Sequence, residues 1–166
     1  MNTSVEFLTH AAAIGAGATA VLDGWSLLRR RLFGSPLPDY GLVGRWFGHM
    51  ARGRFRHERI AAAAPVPGER ALGWTAHYAV GIAFAGVLLA VAGPGWVDAP
   101  TLLPALLVGV GSVAAPFLLM QPGMGAGLAA RRTPKPAAAR RQSLVTHTVF
   151  GLGLYLAGWT ASLLAR

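Results

Sequence analysis

Four apolar stretches alternate with polar, arginine-rich stretches along this chain. The apolar stretches cover about residues 5–28, 71–93, 101–121 and 143–164. Each is about as long as an α-helix must be to cross a hydrocarbon core of roughly 30 Å. The pattern therefore predicts an all-α integral membrane protein, a bundle of four transmembrane helices that forms a single domain over residues 1–166.

The first long polar connection, residues 32–70, contains a second helical pattern. Apolar residues recur there at helical spacing, and polar residues lie between them: Leu42, Val43, Trp46, Phe47 and Met50, with Arg45, His49 and Arg52. This arrangement is typical of a helix that lies flat in the membrane interface. We expect a short interfacial amphipathic helix near residues 41–52.

The distribution of positive charge predicts the orientation of the chain. Nine arginines lie between Arg29 and Arg70, five Lys or Arg lie between Arg131 and Arg141, and none lies in the connection 93–100. Cytoplasmic loops of membrane proteins carry an excess of Lys and Arg. Both Arg-rich loops are thus predicted to be cytoplasmic, and both termini to lie outside.

Composition excludes several classes of function. The chain is 54% hydrophobic and only 13% charged, and it has no cysteine, whereas soluble domains carry about 25% charged residues. Disulfides, thiolate metal sites and thiol catalysis are excluded. The formal charge of +9 does not indicate nucleic acid, because the arginines flank apolar spans. There they are expected to contact anionic lipid headgroups, and the interfacial set is Arg45, Arg52, Arg54 and Arg56.

Four of the polar residues within the predicted spans are candidate binding residues. Asp23, His77, Gln121 and His147 are candidates to line a polar intramembrane cleft that binds a small ligand, a cation or a proton, because ionisable groups in a membrane are costly. A structural interpretation exists for each ionisable residue. Asp23 could pair with an arginine, and each histidine could hydrogen-bond a carbonyl or a Ser/Thr hydroxyl within the bundle.

The two histidines also lie on stripes of four-residue spacing, which should face the bundle interior. The stripes are Gly73, His77, Gly81 and Ala85 in one span, and Ser143, His147, Gly151 and Tyr155 in another. If both stripes face inward, the two rings should lie within one helix-packing distance, about 8–10 Å between axes. Facing imidazoles can hold haem iron or another metal, and His49 and His57 would be further ligands.

Glu69, near the start of the second span, has two interpretations. A carboxylate at a helix N-terminus is favoured by the helix dipole alone. It could also pair with an arginine of the amphipathic segment.

The least ordinary stretch is residues 115–130, APFLLMQPGMGAGLAA. Pro116 is expected to kink the third span, which Pro104 also interrupts, and Gln121-Pro122 to end it. Gly123, Gly125 and Gly127 would then allow close backbone approach to a helix or to a ligand. The glycines do not form a phosphate loop, because no GK[ST] follows and no strand precedes them.

Five blocks together resemble a family of small bacterial membrane proteins, domain-of-unknown-function family 2938. They are LVGRWFGHMARGRFRH (42–57), ERALGWTAHYAVGIAFA (69–85), PTLLPALLVG (100–109), APFLLMQPGMGAGLAA (115–130) and SLVTHTVFGLGLY (143–155). The resemblance covers nearly the whole chain. It implies a four-span protein of the inner membrane and no particular activity.

Three functions remain open on this basis, and none rests on an enzyme motif of known chemistry. The first is a ligand-, ion- or proton-binding module related to transport. The second is a membrane redox subunit with His-ligated haem or metal. The third is an assembly protein whose Arg-rich loop docks a partner or anionic lipid. The expected partners are the lipid bilayer, anionic headgroups, and a second copy of the chain or another membrane protein.

Overall fold

The computed structural model describes residues 3–164, and within them the chain is helical and contains no β-strand. The α-helices are α1 (Thr3–Phe33), α2 (Tyr40–Met50), α3 (Glu69–Ala92), α4 (Leu102–Gly111), α5 (Gln121–Met124) and α6 (Pro136–Leu164). A π-helical turn, Pro116–Met120, precedes α5. The 3₁₀ turns are Ile60–Ala62, Pro94–Val97 and Leu128–Ala130. The all-α prediction is confirmed.

Among the described residues, three helical segments are long and apolar enough to cross a membrane: Ser4–Phe33, Glu69–Ala92 and Leu102–Met124. They coincide with the first three predicted spans. The fourth predicted span lies within α6, which has 29 residues and so a length of about 43 Å at 1.5 Å per residue. Helix α6 is not among the three segments that are apolar enough over a membrane-spanning length.

The third span differs from expectation at its prolines. Pro104 does not interrupt it, because the residue lies in the first turn of α4. Backbone N–H groups there have no partner within the helix, so proline loses no hydrogen bond. Pro116 opens the π-helical turn, which closes when the Gln121 N–H donates to the Pro116 carbonyl. Pro122 does not end the helix, which was predicted to stop there. The helix continues to Met124 and ends at Gly125, whose φ is +97°.

Contacts divide the described chain into two compact units. Unit 1 comprises residues 3–37, 78–112 and 145–164, and unit 2 comprises residues 38–77 and 113–144. In unit 1, close approaches at glycines hold the helices together. Gly109 of α4 lies against the backbone of Gly151 of α6. Gly15 of α1 lies against α3, and a Cβ on it would fall 2.7 Å from the Ile82 nitrogen.

The inward stripes therefore contact different helices within unit 1. Gly81 of α3 lies against Thr19 of α1, whereas Gly151 of α6 lies against Ala105 of α4. The apolar core of this unit includes Ala11, Ile14, Ala18, Ala85, Leu88, Leu89, Trp96, Val97, Ala105, Phe150 and Leu154. Small residues on each stripe let two helix backbones approach, as is usual in membrane bundles.

In unit 2, the amphipathic segment is helical as predicted, over Tyr40–Met50. The Asp39 side chain caps it by accepting a 2.9 Å hydrogen bond from the Gly41 N–H. The backbones of α2 and α3 meet at two glycines. Gly44 lies against the Glu69 carbonyl, and Gly73 lies against the Tyr40 carbonyl. The first turns of α3 are therefore fixed against α2.

We expect Gly109→Ala to destabilise the protein by about 1–3 kcal/mol, because the new methyl group would overlap the backbone of α6. Gly111→Ala in the same helix is the matched control, since no atom lies within 4 Å of a Cβ there. The melting temperature of Gly109→Ala in detergent should be lower than that of Gly111→Ala. Equal melting temperatures would contradict this account of the α4–α6 contact.

Candidate functional site

Arg45 connects three segments of unit 2. Its Nη2 and Nε donate to the Glu69 carboxylate at 2.7 and 2.8 Å, and its Nη1 donates to the carbonyls of Ala61 and Ala63 at 3.3 and 3.1 Å. Glu69 also accepts a 2.9 Å hydrogen bond from the Val66 N–H. The hydrogen bond to Glu69 raises the pKa of Arg45 above its ordinary value. The predicted pairing of Glu69 with an arginine of the amphipathic segment is confirmed.

The chain after α2 folds back on that helix. The indole Nε1 of Trp46 donates to the Phe55 carbonyl at 2.9 Å, and Nε2 of His49 lies 2.9 Å from the Ala64 carbonyl. The rings of His49 and His57 meet edge to face, with centroids 4.9 Å apart. These contacts fix residues 55–64 over one face of α2.

His57 is buried, with 7% of its surface exposed. Its backbone N–H donates to the Gly123 carbonyl at 2.9 Å, but neither ring nitrogen has a hydrogen-bond partner among the described residues. Burial lowers the pKa of His57 and favours the neutral ring. An unpaired buried donor costs about 1–3 kcal/mol, so this histidine is not explained by the packing of unit 2 alone.

The three glycines of residues 123–127 each permit a close contact, as their spacing predicted. Gly123 faces the indole of Trp46, and a Cβ there would lie 2.7 Å from the ring. Gly125 lies against the Glu58 carbonyl. A Cβ on Gly127 would lie 2.9 Å from the Cγ atoms of both Arg131 and Arg132. The glycine segment thus holds the loop around His57 and accommodates the stems of two arginines.

Two cavities open beside His57. One is about 460 Å³ and is lined by Arg56, His57, Glu58, Leu118, Pro122, Gly127, Leu128, Arg131 and Arg132. The other is about 510 Å³ and is lined by Arg54, Arg56, His57, Glu58, Arg59, Ala62 and Ala63. Five arginines and one carboxylate face these cavities, and residues 56–58 line both. We call the pair the arginine cavities.

The arginines of these cavities are not neutralised by ion pairs. The structure shows an ion pair between Arg45 and Glu69, and none of the cavity arginines forms one with another described residue. The carboxylate of Glu58 therefore lies near the arginines without forming a salt bridge to them. Guanidinium groups bind phosphate and carboxylate with paired hydrogen bonds. The arrangement is chemically suited to an anion.

The backbone that presents Arg131 and Arg132 is strained. Ala129 and Ala130 have φ values of 45° and 59°, in the left-handed region that costs L-residues roughly 1–2 kcal/mol each. Hydrogen bonds hold both carbonyls: Arg140 Nε donates to Ala129 at 2.8 Å, and the Thr133 hydroxyl donates to Ala130 at 2.7 Å. Such strain is concentrated at ligand clamps and functional loops.

In unit 1, the predicted intramembrane residues Asp23 and His147 have local partners. Asp23 accepts a 3.0 Å hydrogen bond from the Tyr78 hydroxyl. The Ser112 hydroxyl lies 2.6 Å from both the Gly109 carbonyl and Nδ1 of His147. Because this hydroxyl donates its one proton to the carbonyl, it accepts from Nδ1–H, which leaves the lone pair of His147 on Nε2.

In unit 2, His77 and Gln121 also contact their neighbours. The His77 ring stacks on Tyr40 with centroids 4.1 Å apart. Nε2 of Gln121 lies 3.5 Å from the Ser143 hydroxyl, and its Oε1 is buried without a partner among the described residues. His77 and His147 belong to different units, and a site shared between them stays a prediction.

Among the metal-ligand candidates, the structure brings His49 and His57 together. Over residues 3–164, no three His, Cys, Asp or Glu residues form a group that could hold a metal ion.

The predicted interfacial arginines are of two kinds in the structure. Arg45 is paired with Glu69, whereas Arg52, Arg54 and Arg56 are exposed.

Sequence reasoning missed Arg59, Arg131 and Arg132 as site residues. The available signal was the glycine segment followed at once by two arginines. Their meeting with residues 54–59 depends on the tertiary contact of Gly125 with Glu58, which no local pattern encodes.

We expect Arg45→Lys to loosen residues 51–68, because an ammonium group cannot donate two parallel bonds to Glu69 while holding two carbonyls. Limited trypsin digestion in detergent should then cut faster at the exposed arginines of this segment. Arg70→Lys is the control, since Arg70 is exposed and trypsin cleaves at both residue types. Identical digestion of the two variants would show that Arg45 does not hold the segment.

Comparison with known proteins gives a family and no characterised relative. No curated protein and no solved structure matches the chain. The model of one family, protein of unknown function DUF2938, matches residues 12–161, and the chain therefore belongs to the DUF2938 family.

Proposed function

We propose that this protein is a four-span protein of the bacterial inner membrane that binds an anionic ligand at its arginine cavities. The observation that carries the proposal is the convergence of five arginines from two separate loops around the buried, unpaired His57. Residues 54–59 precede the second span, and residues 131–132 follow the third. A multispan topology would place both loops on one side of the membrane.

The distribution of charge supports this topology. The connection 93–100 has no Lys or Arg, whereas the two loops that supply the cavities have fourteen between them. Under the positive-inside rule both loops are cytoplasmic. The length of α6 supports it as the fourth span, because about 20 apolar residues suffice to cross the bilayer.

Single-cysteine labelling tests this topology. The chain has no cysteine, so Ala99→Cys and Lys135→Cys each introduce one thiol at an exposed position. In intact spheroplasts, a membrane-impermeant maleimide should label the first variant at once. The second should be labelled only after the membrane is opened. Labelling of both from the same side would overturn the four-span arrangement.

The contacts of the intramembrane polar residues support packing roles for Asp23 and His147 rather than a ligand cleft. Each makes a short hydrogen bond to a neighbouring helix, which is how buried polar groups in membrane bundles are satisfied. The arginine cavities differ, since their cations are not paired within the described residues. Anion binding would supply the missing counter-charge.

Inorganic phosphate is a suitable probe for the cavities. We expect phosphate to raise the melting temperature of the purified protein more than chloride does at equal ionic strength. The double variant Arg131→Gln/Arg132→Gln should bind phosphate at least about tenfold more weakly, because each charged hydrogen bond is worth roughly 1.5–3 kcal/mol.

The matched control is Arg30→Gln/Arg31→Gln, which removes the same charge from exposed positions at the end of α1. It should bind phosphate as the unmodified protein does. Equal loss in both double variants would show a general charge effect and would contradict a defined site. So would a phosphate shift no larger than that of chloride.

A further inference from the structure

We infer that the anion held by the 460 Å³ cavity is the headgroup phosphate of a membrane phospholipid with net negative charge, and that its acyl chain lies over Leu118 and Leu128. This inference rests on the proposed anion site and identifies the source of the anion. Charge alone would admit any phosphate or carboxylate at this site. The inference restricts the ligand to an amphiphile.

The lining of this cavity is divided by polarity. Arg56, Arg131 and Arg132 supply cationic side chains, whereas Leu118, Pro122 and Leu128 supply apolar ones. Leu118 and Leu128 are 57% and 49% exposed. A free phosphate would occupy the cationic part alone and make no contact with these leucines. A phospholipid would cover both parts at once.

The apolar part continues into a segment that is itself suited to lipid. Leu118 lies in Leu102–Met124, which is long and apolar enough to cross a membrane. Pro122 lies in the same segment, four residues beyond Leu118. The cavity therefore begins on a candidate span and ends on an arginine loop. This is the sequence of environments that a phospholipid presents, from acyl chain to headgroup.

The cationic part is suited to a lipid phosphate for two reasons. Arginine forms paired hydrogen bonds with phosphate oxygens in a fixed geometry. The stems of Arg131 and Arg132 pack beside Gly127, which has no side chain to displace them. The strained turn at Ala129 and Ala130 directs the chain into these two residues. A general attraction of basic loops to anionic membranes would need neither feature.

Competition between two lipids in detergent tests the inference. Native mass spectrometry would count phosphatidylglycerol and phosphatidylcholine bound to the intact protein. The unmodified protein should prefer phosphatidylglycerol. Arg131→Gln/Arg132→Gln should lose most of that preference, whereas Arg30→Gln/Arg31→Gln should retain it.

A pair of adjacent leucines gives the sharpest control. Leu118 lines the cavity, whereas Leu119 is 67% exposed and does not line it. We expect Leu118→Gln to weaken phosphatidylglycerol binding on the order of fivefold and Leu119→Gln to change it little. Neither variant should alter the binding of inorganic phosphate, because the arginines are unchanged.

The outcomes separate this inference from the proposed function. If inorganic phosphate binds at the arginines but Leu118→Gln leaves lipid binding unchanged, the anion is soluble and the lipid inference is wrong. If Arg30→Gln/Arg31→Gln abolishes the lipid preference as fully as the cavity variant does, the preference reflects surface charge, and the inference also fails. If neither phosphate nor phosphatidylglycerol binds, the proposed anion site is itself overturned.

Discussion

The paired hydrogen bonds between Arg45 and Glu69 are the interaction on which unit 2 depends most. One guanidinium binds the first residue of α3 and two carbonyls of the connection between α2 and α3. That connection has little regular structure of its own, only the 3₁₀ turn Ile60–Ala62. Arg45 holds the C-terminal half of this connection, and His57 and Glu58 in the preceding part lie against Gly123 and Gly125.

The ion pair also explains why arginines of one connection have different structural roles. Arg45 points from α2 toward a carboxylate and is only 13% exposed. The later arginines of the loop have no such partner within the described residues and remain exposed. The stretch from Arg29 to Arg70, which has nine arginines, is thus uniformly basic in sequence and still divides its cations between internal structure and a surface that attracts anions.

Much of the fold could be predicted because it follows from local patterns. Apolar stretches of sufficient length predict membrane helices, and the helical spacing of Leu42, Trp46 and Met50 predicted α2 nearly to its ends. The prolines were less informative. Pro104 was expected to interrupt the third span, but it lies in the first turn of α4, where it has no hydrogen bond to lose. Pro122 was expected to end the span, but the helix continues to Met124.

The candidate site was predicted in part, and the reason is geometric. Residue type and spacing predicted Arg54 and Arg56 as interfacial cations, His57 as a possible metal ligand and the three glycines as points of close approach. They could not identify what those glycines contact. A glycine permits close approach to any neighbour, and the choice of Trp46 for Gly123 and of Glu58 for Gly125 is made by the packing of distant segments. The two arginines after Gly127 join the site only through that packing.

The energetic state of the site favours a ligand over a purely structural role. Neither ring nitrogen of His57 has a partner among the described residues, Ala129 and Ala130 have left-handed backbones, and five arginines line the two cavities. Each feature opposes folding by an amount comparable to one of the hydrogen bonds of unit 2. A sequence selected for stability alone would replace Ala129 with glycine and His57 with an apolar residue. Their presence together around one pair of cavities supports the proposed anion site, because an anion there would accept a hydrogen bond from His57 and would reduce the repulsion among the arginines.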